Sequence, residues 1–312
     1  MEVIHGHHLA PGWANGAAVA IGNFDGVHKG HQALIRRARE LAAAHGARTV
    51  VLTFDPHPAA LLAPQGGPPA VCSLGRRVEL LAEYGADAVV IEPFTRELAS
   101  YAPHAFIDDV VINALCARAI VVGYDFSYGH GRAGTTDALR AHGSRAGVEV
   151  DVVDAVRVGG EIASSSRVRV HLREGDLPGA ERLLGRRWDV DGVVVHGAKR
   201  GRTIGVPTAN ITPDIELPLC AGIYAVTLSV EGGPPRAAVA SLGTNPTFVE
   251  GGGLVLEVHV LDFDGDLYTQ RVRTTFVERL RDEAKFDSVE ALIAQIRDDI
   301  AAARHALRRA GI

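Results

Sequence analysis

The rhythm of apolar residues changes once along the chain, near Gly185, and that change limits the fold more than any other feature. Before it, short apolar runs at 17–21, 49–54, 86–91, 119–122 and 148–153 alternate with stretches of helical period. Leu34, Ile35, Ala38, Leu41 and Ala42, between the first two runs, mark one face of a helix. Repetition of such βαβ units predicts a doubly wound parallel α/β sheet. Two short helical patterns follow at 166–173 and 178–184. From Trp188 onward only strand-like runs remain, at 190–195, 223–230, 236–242, 254–261 and 271–277, broken by Gly and Pro. Strands without intervening helices predict a small antiparallel β-barrel or sandwich.

A final helix is expected from Asp287 or Ser288, with Glu290 placed to complete a capping box. Its stripe of Val289, Leu292, Ile293, Ile296, Ile300 and Leu307 should pack on the barrel. The reading is thus two domains, 1–185 and 186–312, a division that 312 residues can support.

Composition narrows the function classes. A net charge of -5 argues against a nucleic-acid-binding domain, so any polyanion site has to be local. No apolar run reaches about 18 residues and no leader pattern opens the chain, which predicts a cytoplasmic protein without a membrane span. Cys72, Cys116 and Cys220 lack metal-ligand spacing and read as buried, reduced thiols. No obligate protein partner is predicted.

The densest local signal is Gly22-Asn23-Phe24-Asp25-Gly26-Val27-His28-Lys29-Gly30-His31, between the first strand and the first helix. Doubly wound folds bind ligands at that carboxyl end, and a helix N-terminus there offers free N–H groups to an anion. His28 and His31, three apart, can lie on one side of the opening turn, while Gly22, Gly26 and Gly30 allow close backbone approach. These features suit a polyphosphate. A surface loop with incidental histidines and an i,i+3 metal pair are the competing readings, although two ligands alone do not make a metal site.

In the second half, Gly201, Arg202 and Gly205 belong to a basic, Gly-rich loop that suggests phosphate cradling. If residues 207–210 are extended, Thr208 and Asn210 project to one side and offer hard oxygen ligands to Mg²⁺. On the strand at 254–261, period two puts Glu257 and His259 on the face away from Leu256 and Val258. That face is either simply solvated or meets the Thr208 loop, where Glu257 could accept a proton from a substrate hydroxyl. Asp262, Asp264 and Asp266 read as a polar hairpin turn, since no Glu stands where a calcium loop needs one.

The ten-residue string resembles the signature of the bacterial bifunctional riboflavin kinase and FMN adenylyltransferase (FAD synthetase) family. Further pieces appear in order. They are Thr53-Phe54-Asp55-Pro56-His57-Pro58, Gly123-Tyr124-Asp125-Phe126-Ser127-Tyr128-Gly129 and Ser164-Ser165-Ser166-Arg167-Val168-Arg169, then Gly201-Arg202-Thr203-Ile204-Gly205-Val206-Pro207-Thr208-Ala209-Asn210. Ser166 stands where the family has Thr, Asp125 where many relatives have Asn, and Val206 where Phe is frequent.

The resemblance implies a nucleotidyltransferase-like Rossmann domain followed by a riboflavin kinase barrel, with riboflavin, FMN, FAD and ATP as substrates and products and Mg²⁺ as cofactor. It implies that His28 and His31 stabilise adenylyl transfer, with Gly22, Asn23, Asp25, Gly26, Gly30, His57, Asp125, Ser164, Ser165, Ser166 and Arg169 binding nucleotide or flavin. In the second half it implies that Glu257 is the base, Thr208 and Asn210 the metal ligands, and Gly201, Arg202 and Gly205 the phosphate loop.

Overall fold

A computed structural model describes residues 1–10, 12–197, 205–244 and 254–312. The chain packs as two compact units, residues 1–68 with 74–164, and residues 69–73 with 165–312.

The first unit is built on six parallel strands, β1 (Glu2–His5), β2 (Ala17–Ile21), β3 (Arg48–Asp55), β4 (Ala88–Pro93), β5 (Ala117–Gly123) and β6 (Glu149–Val153), in the order β1-β4-β3-β2-β5-β6. The chain lays β3 and β4 outward on one side of β2, then returns to place β5 on the other. The strand order therefore reverses between β2 and β5, the crevice where open α/β sheets bind ligands.

Alternation along β2 divides the core. Ala17, Val19 and Ile21 face one cluster, and Ala18 and Ala20 face another that includes Leu34, Ile35, Ala38, Leu41 and Ala42 of α1 (Lys29–His45). All five are the residues whose spacing marks the helix in the sequence. Burying a side chain such as Ile35 contributes about 1.5–3 kcal/mol, which is what ties α1 to the sheet. Helices α2 (Leu74–Glu83) and α3 (Thr136–Ala146) follow. Strand β1 is missed by the sequence reading because four residues, only one of them buried, leave no period to detect.

Besides residues 69–73, the second unit contains α4 (Ser165–Glu174) and α5 (Leu177–Leu184), which pack on each other. A two-stranded ribbon, β7 (Arg157–Val158) with β8 (Glu161–Ile162), precedes them in the first unit. Packing thus divides the chain after Ser164, whereas the apolar rhythm changes near Gly185.

The closed barrel β10-β13-β12-β11-β14-β9 is formed by β9 (Asp189–Val195), β10 (Ala209–Pro213), β11 (Gly222–Val230), β12 (Arg236–Thr244), β13 (Leu254–Val260) and β14 (Arg271–Arg281), every pair antiparallel. Closure removes the exposed edges that an open sheet would leave. The short strand β10 carries one fully buried apolar residue, Ile211, so it shows no strand signal of its own.

Strand β11 is buried on both faces, because α6 (Val289–Arg309) covers Ala225 from outside with Ala303, Ala306 and Leu307. The predicted stripe is therefore only partly the packing face. Leu307 is buried, Val289 is 55% exposed, and the small residues Ala303 and Ala306 take the close contact. Buried Asp299 on the same helix receives both arms of Arg281, at 2.8 and 2.6 Å. Ser288 is the N-cap and accepts from the N–H of Ala291, which puts Glu290 at the second helical position rather than the third, so the expected capping box is out of register. None of the three cysteines is in a disulfide; Cys72 is buried but Cys116 and Cys220 are half-buried, a partial correction to the expected burial.

Candidate functional sites

In the first unit the loop after β2 follows a strained path. Phe24 and Val27 hold φ of 50° and 43°, on either side of Gly26 at 78°. A β-branched residue in that region is an outlier that surrounding structure has to enforce. Fully buried Phe24 and Val27 anchor the loop in the core, and Asp25 is buried with them.

His28 is the N-cap of α1, its Nδ1 accepting from the N–H of His31 at 3.4 Å. An accepting Nδ1 leaves the proton of a neutral His28 ring on Nε2. The two rings stack with centroids 3.6 Å apart and 23° between planes, and Phe24 lies 5.0 Å from His31. A Cβ on Gly30 would meet the His28 ring at 2.9 Å and the Ala163 carbonyl at 3.1 Å, so the stack requires glycine there. Burial first, then the like charges of His28 and Arg77, hold the His31 ring well below its ordinary pKa, and its Nδ1 is buried without a hydrogen-bond partner. A buried polar atom left in this way is suited to an incoming ligand.

The end of β3 meets the same loop. The Thr53 hydroxyl donates to the Asn23 carbonyl at 3.0 Å, and the Asn23 side-chain amide touches Nε2 of His57 at 3.2 Å. His57 itself caps the short helix Pro58–Leu62 through Nδ1, which accepts from Ala59 at 3.1 Å. Asp125, beyond the end of β5, is exposed. The structure thus brings together Asn23, His57, Gly30, His28 and His31. Ser164 ends the first unit, and Ser165, Ser166 and Arg169 open α4 in the second. There Arg169 is buried and its Nε donates to the Pro69 carbonyl at 2.6 Å.

Arg77 of α2 was not foreseen. It is buried, donates to the Phe54 carbonyl at 3.3 Å and to the Thr53 hydroxyl at 3.5 Å, and acts electrostatically on His31. In the sequence it is one of an Arg76-Arg77 pair in an amphipathic helix, with nothing to distinguish it from a solvated cation.

In the barrel, strand register carries the site. Asn210 on β10 stands directly opposite Glu257 on β13, so the two share a face, turned away from buried Leu256 and Val258. The face that pattern alone could read as merely solvated does meet the Thr208 segment. His259, two residues along the same face, donates from Nδ1 to the Pro207 carbonyl at 2.7 Å and pins that segment to β13. His259 was noted in the sequence only as Glu257's neighbour by alternation.

A Cβ on Gly197 would overlap the Asn210 amide, so the chain after β9 closes directly on that side chain. Beside Thr208 a cleft is lined by Val194, Val258, Phe263, Leu267 and Tyr268. Gly205 is exposed with φ 79°. Gly201 and Arg202 lie outside the described residues. Asp262, in the turn after β13, forms a two-armed pair with Arg304 of α6, at 2.7 and 2.8 Å.

Comparison with known proteins matches the two halves of the chain to two different family models. A family model described as FAD synthetase matches residues 11–167 and one described as riboflavin kinase matches residues 184–307. A bifunctional riboflavin kinase/FMN adenylyltransferase of Pseudomonas fluorescens is 38% identical over 304 residues, covering 97% of each chain. Proteins of the same name from Listeria monocytogenes and Escherichia coli are 38% and 37% identical, covering 96% and 97% of each chain. A solved structure of a Streptococcus pneumoniae protein, described as a macrolide-efflux protein, matches with a TM-score of 0.87 at 32% identity, over 97% of this chain and 99% of its own. Efflux is said of that protein; among the described residues here, no helix is long and apolar enough to cross a membrane. Matched in order through both halves and along nearly its whole length, the chain belongs to the family of bifunctional riboflavin kinases/FMN adenylyltransferases.

Proposed function

We propose that the protein phosphorylates riboflavin to FMN and then adenylylates FMN to FAD, consuming one ATP in each step. The observation that carries this reading is the presence, in a chain matched end to end by bifunctional relatives, of two dissimilar polar clusters, one in each unit. The functional division is placed at 1–185 for adenylyl transfer and 186–312 for the kinase.

In the barrel, Glu257 accepts the proton of the ribityl 5′-hydroxyl as that oxygen attacks the γ-phosphorus of ATP, giving FMN and ADP. The oxygens of Thr208 and Asn210 fit a hard cation, and these two residues would hold Mg²⁺, which would supply charge neutralisation for phosphoryl transfer. Gly201, Arg202 and Gly205 are the proposed phosphate loop.

In the first unit the FMN phosphate is already an anionic nucleophile and needs no base. Its oxygen attacks the α-phosphorus of ATP and the bond to the β-phosphate oxygen breaks, releasing pyrophosphate. His28 and His31, at the N-terminus of α1, stabilise the charge that develops. Asn23 and His57 fix the loop beside them, and Gly22, Asp25, Gly26 and Gly30 set its path. Asp125 is a flavin or ribose contact. Ser164, Ser165, Ser166 and Arg169 are assigned to the triphosphate, with part of Arg169 committed to Pro69. Three thiols outside any disulfide fit a reducing, cytoplasmic setting, and no nucleic acid, membrane or obligate protein partner is required.

A two-histidine metallohydrolase gains no support: among the described residues, no three His, Cys, Asp or Glu side chains gather as a metal cluster. The test is chromatography of the full-length protein with riboflavin, ATP and Mg²⁺. FMN followed by FAD is expected; unchanged riboflavin, or nucleotide hydrolysis alone, contradicts the reading.

A further inference from the structure

Arg77 is 5% exposed, and its place in the first unit is unusual for a cation. Among the described residues no carboxylate pairs with it, and its Nε is buried without a partner. A guanidinium withdrawn from water without a counter-charge is costly, so its retention calls for a reason beyond packing. Its contacts supply one. They run to the Phe54 carbonyl at the end of β3 and to the Thr53 hydroxyl, which donates in turn to the Asn23 carbonyl in the loop that leads to His28. The same charge is felt by the His31 ring.

We propose that Arg77 is a positioning residue for adenylyl transfer: it braces the Asn23 loop through Thr53 and places a fixed positive charge behind His31, on which the phosphates of FMN and ATP converge. This rests on the proposed adenylyltransferase reading and adds to it a residue outside the motifs. The brace and the charge are separable. Thr53→Val removes the hydroxyl link and keeps the charge. Arg77→Met removes both, and Arg77→Lys restores the charge on a different donor geometry. The groups acting on His31 are His28 from its own turn and Arg77 from α2, with Asp25 buried in the same loop. Removing the Arg77 charge therefore raises the pH at which His31 gains its proton.

The experiment measures FAD formation from FMN and ATP across pH in the full-length protein, with riboflavin phosphorylation assayed in parallel. Arg77→Met is expected to lower kcat for FAD formation at least about tenfold, with KM for ATP little changed, as displacement of a reacting group does. The acid limb of its rate profile should shift to higher pH. Arg77→Lys should return that limb to the wild-type position while kcat stays reduced. Thr53→Val should lower kcat with the limb unmoved, and it reports on the brace even if Arg77→Met fails to fold.

FMN formation from riboflavin should match wild type in all three. Wild-type kcat and pH profile in both Thr53→Val and Arg77→Lys overturn the proposal, as does a reduced kcat in Arg77→Met whose acid limb stays where it was. If the wild-type protein itself makes no FAD, the underlying functional reading fails instead.

Discussion

The two clusters differ in how they hold their chemistry. The first is a loop at a sheet's switch point, with nitrogen donors: two imidazoles in a stack, locked by a buried Phe24, an enforced left-handed backbone and Gly30. The second lies on strands and presents oxygen donors, with Asn210 facing Glu257 through ladder register and Thr208 just before β10. Nitrogen donors beside a helix N-terminus suit direct stabilisation of phosphate charge, whereas oxygen donors suit a hard cation that screens it. On this account, one reagent is attacked at two different phosphorus atoms because two scaffolds offer it different partners.

The largest effects should come from the residues at the centre of each cluster. His31→Ala is expected to lower FAD formation from FMN by about a hundredfold or more, while FMN formation from riboflavin is retained. Glu257→Ala should do the reverse, by about a hundredfold to ten-thousandfold. Product chromatography of both half-reactions checks this, and equal loss of both activities in either variant would erase the contrast between the regions.

Two glycines sharpen the comparison at intermediate size. A methyl group at Gly30 intrudes on the His28 ring and the Ala163 carbonyl, and one at Gly197 intrudes on the Asn210 amide. Gly30→Ala should cost on the order of tenfold in FAD formation alone, and Gly197→Ala a similar factor in FMN formation alone. Steady-state rates of the two half-reactions decide it.

The smallest predicted effect is on stability. His31 is held well below its ordinary pKa, chiefly by burial, so the unfolded chain takes up that proton at a higher pH than the folded one. Lowering pH through about 6.5 and below should therefore favour unfolding. His31→Gln should flatten that dependence, seen as a smaller drop in thermal midpoint between neutral and mildly acidic buffer. An identical drop in both proteins would remove His31 as its source.

Much of this was legible in the sequence, for reasons that can be named. α1 was readable because five apolar residues at helical spacing all fill one core cluster, and β13 because Leu256, Val258 and Val260 alternate with Glu257 and His259. β10 was not, since a single buried Ile211 gives no period; it is made a strand by pairing with β9 and β13. The pairing of Asn210 with Glu257 therefore depends on register, which is a tertiary property. Arg77 was invisible for a related reason: burial of a cation is decided by what surrounds it, and its partners Thr53 and Phe54 belong to another element. The stripe on α6 was read by hydrophobicity, while the packed face was selected by size, with Ala303 and Ala306 admitting close approach to the barrel.

Mixing two inactivated proteins tests the claim of two independent ATP sites most directly. Neither Glu257→Ala nor His31→Ala alone should convert riboflavin and ATP to FAD. An equimolar mixture should do so after a lag, as FMN released by the His31→Ala protein is adenylylated by the Glu257→Ala protein. A mixture that forms no more FAD than either variant alone, although each retains its own half-reaction, would contradict the account.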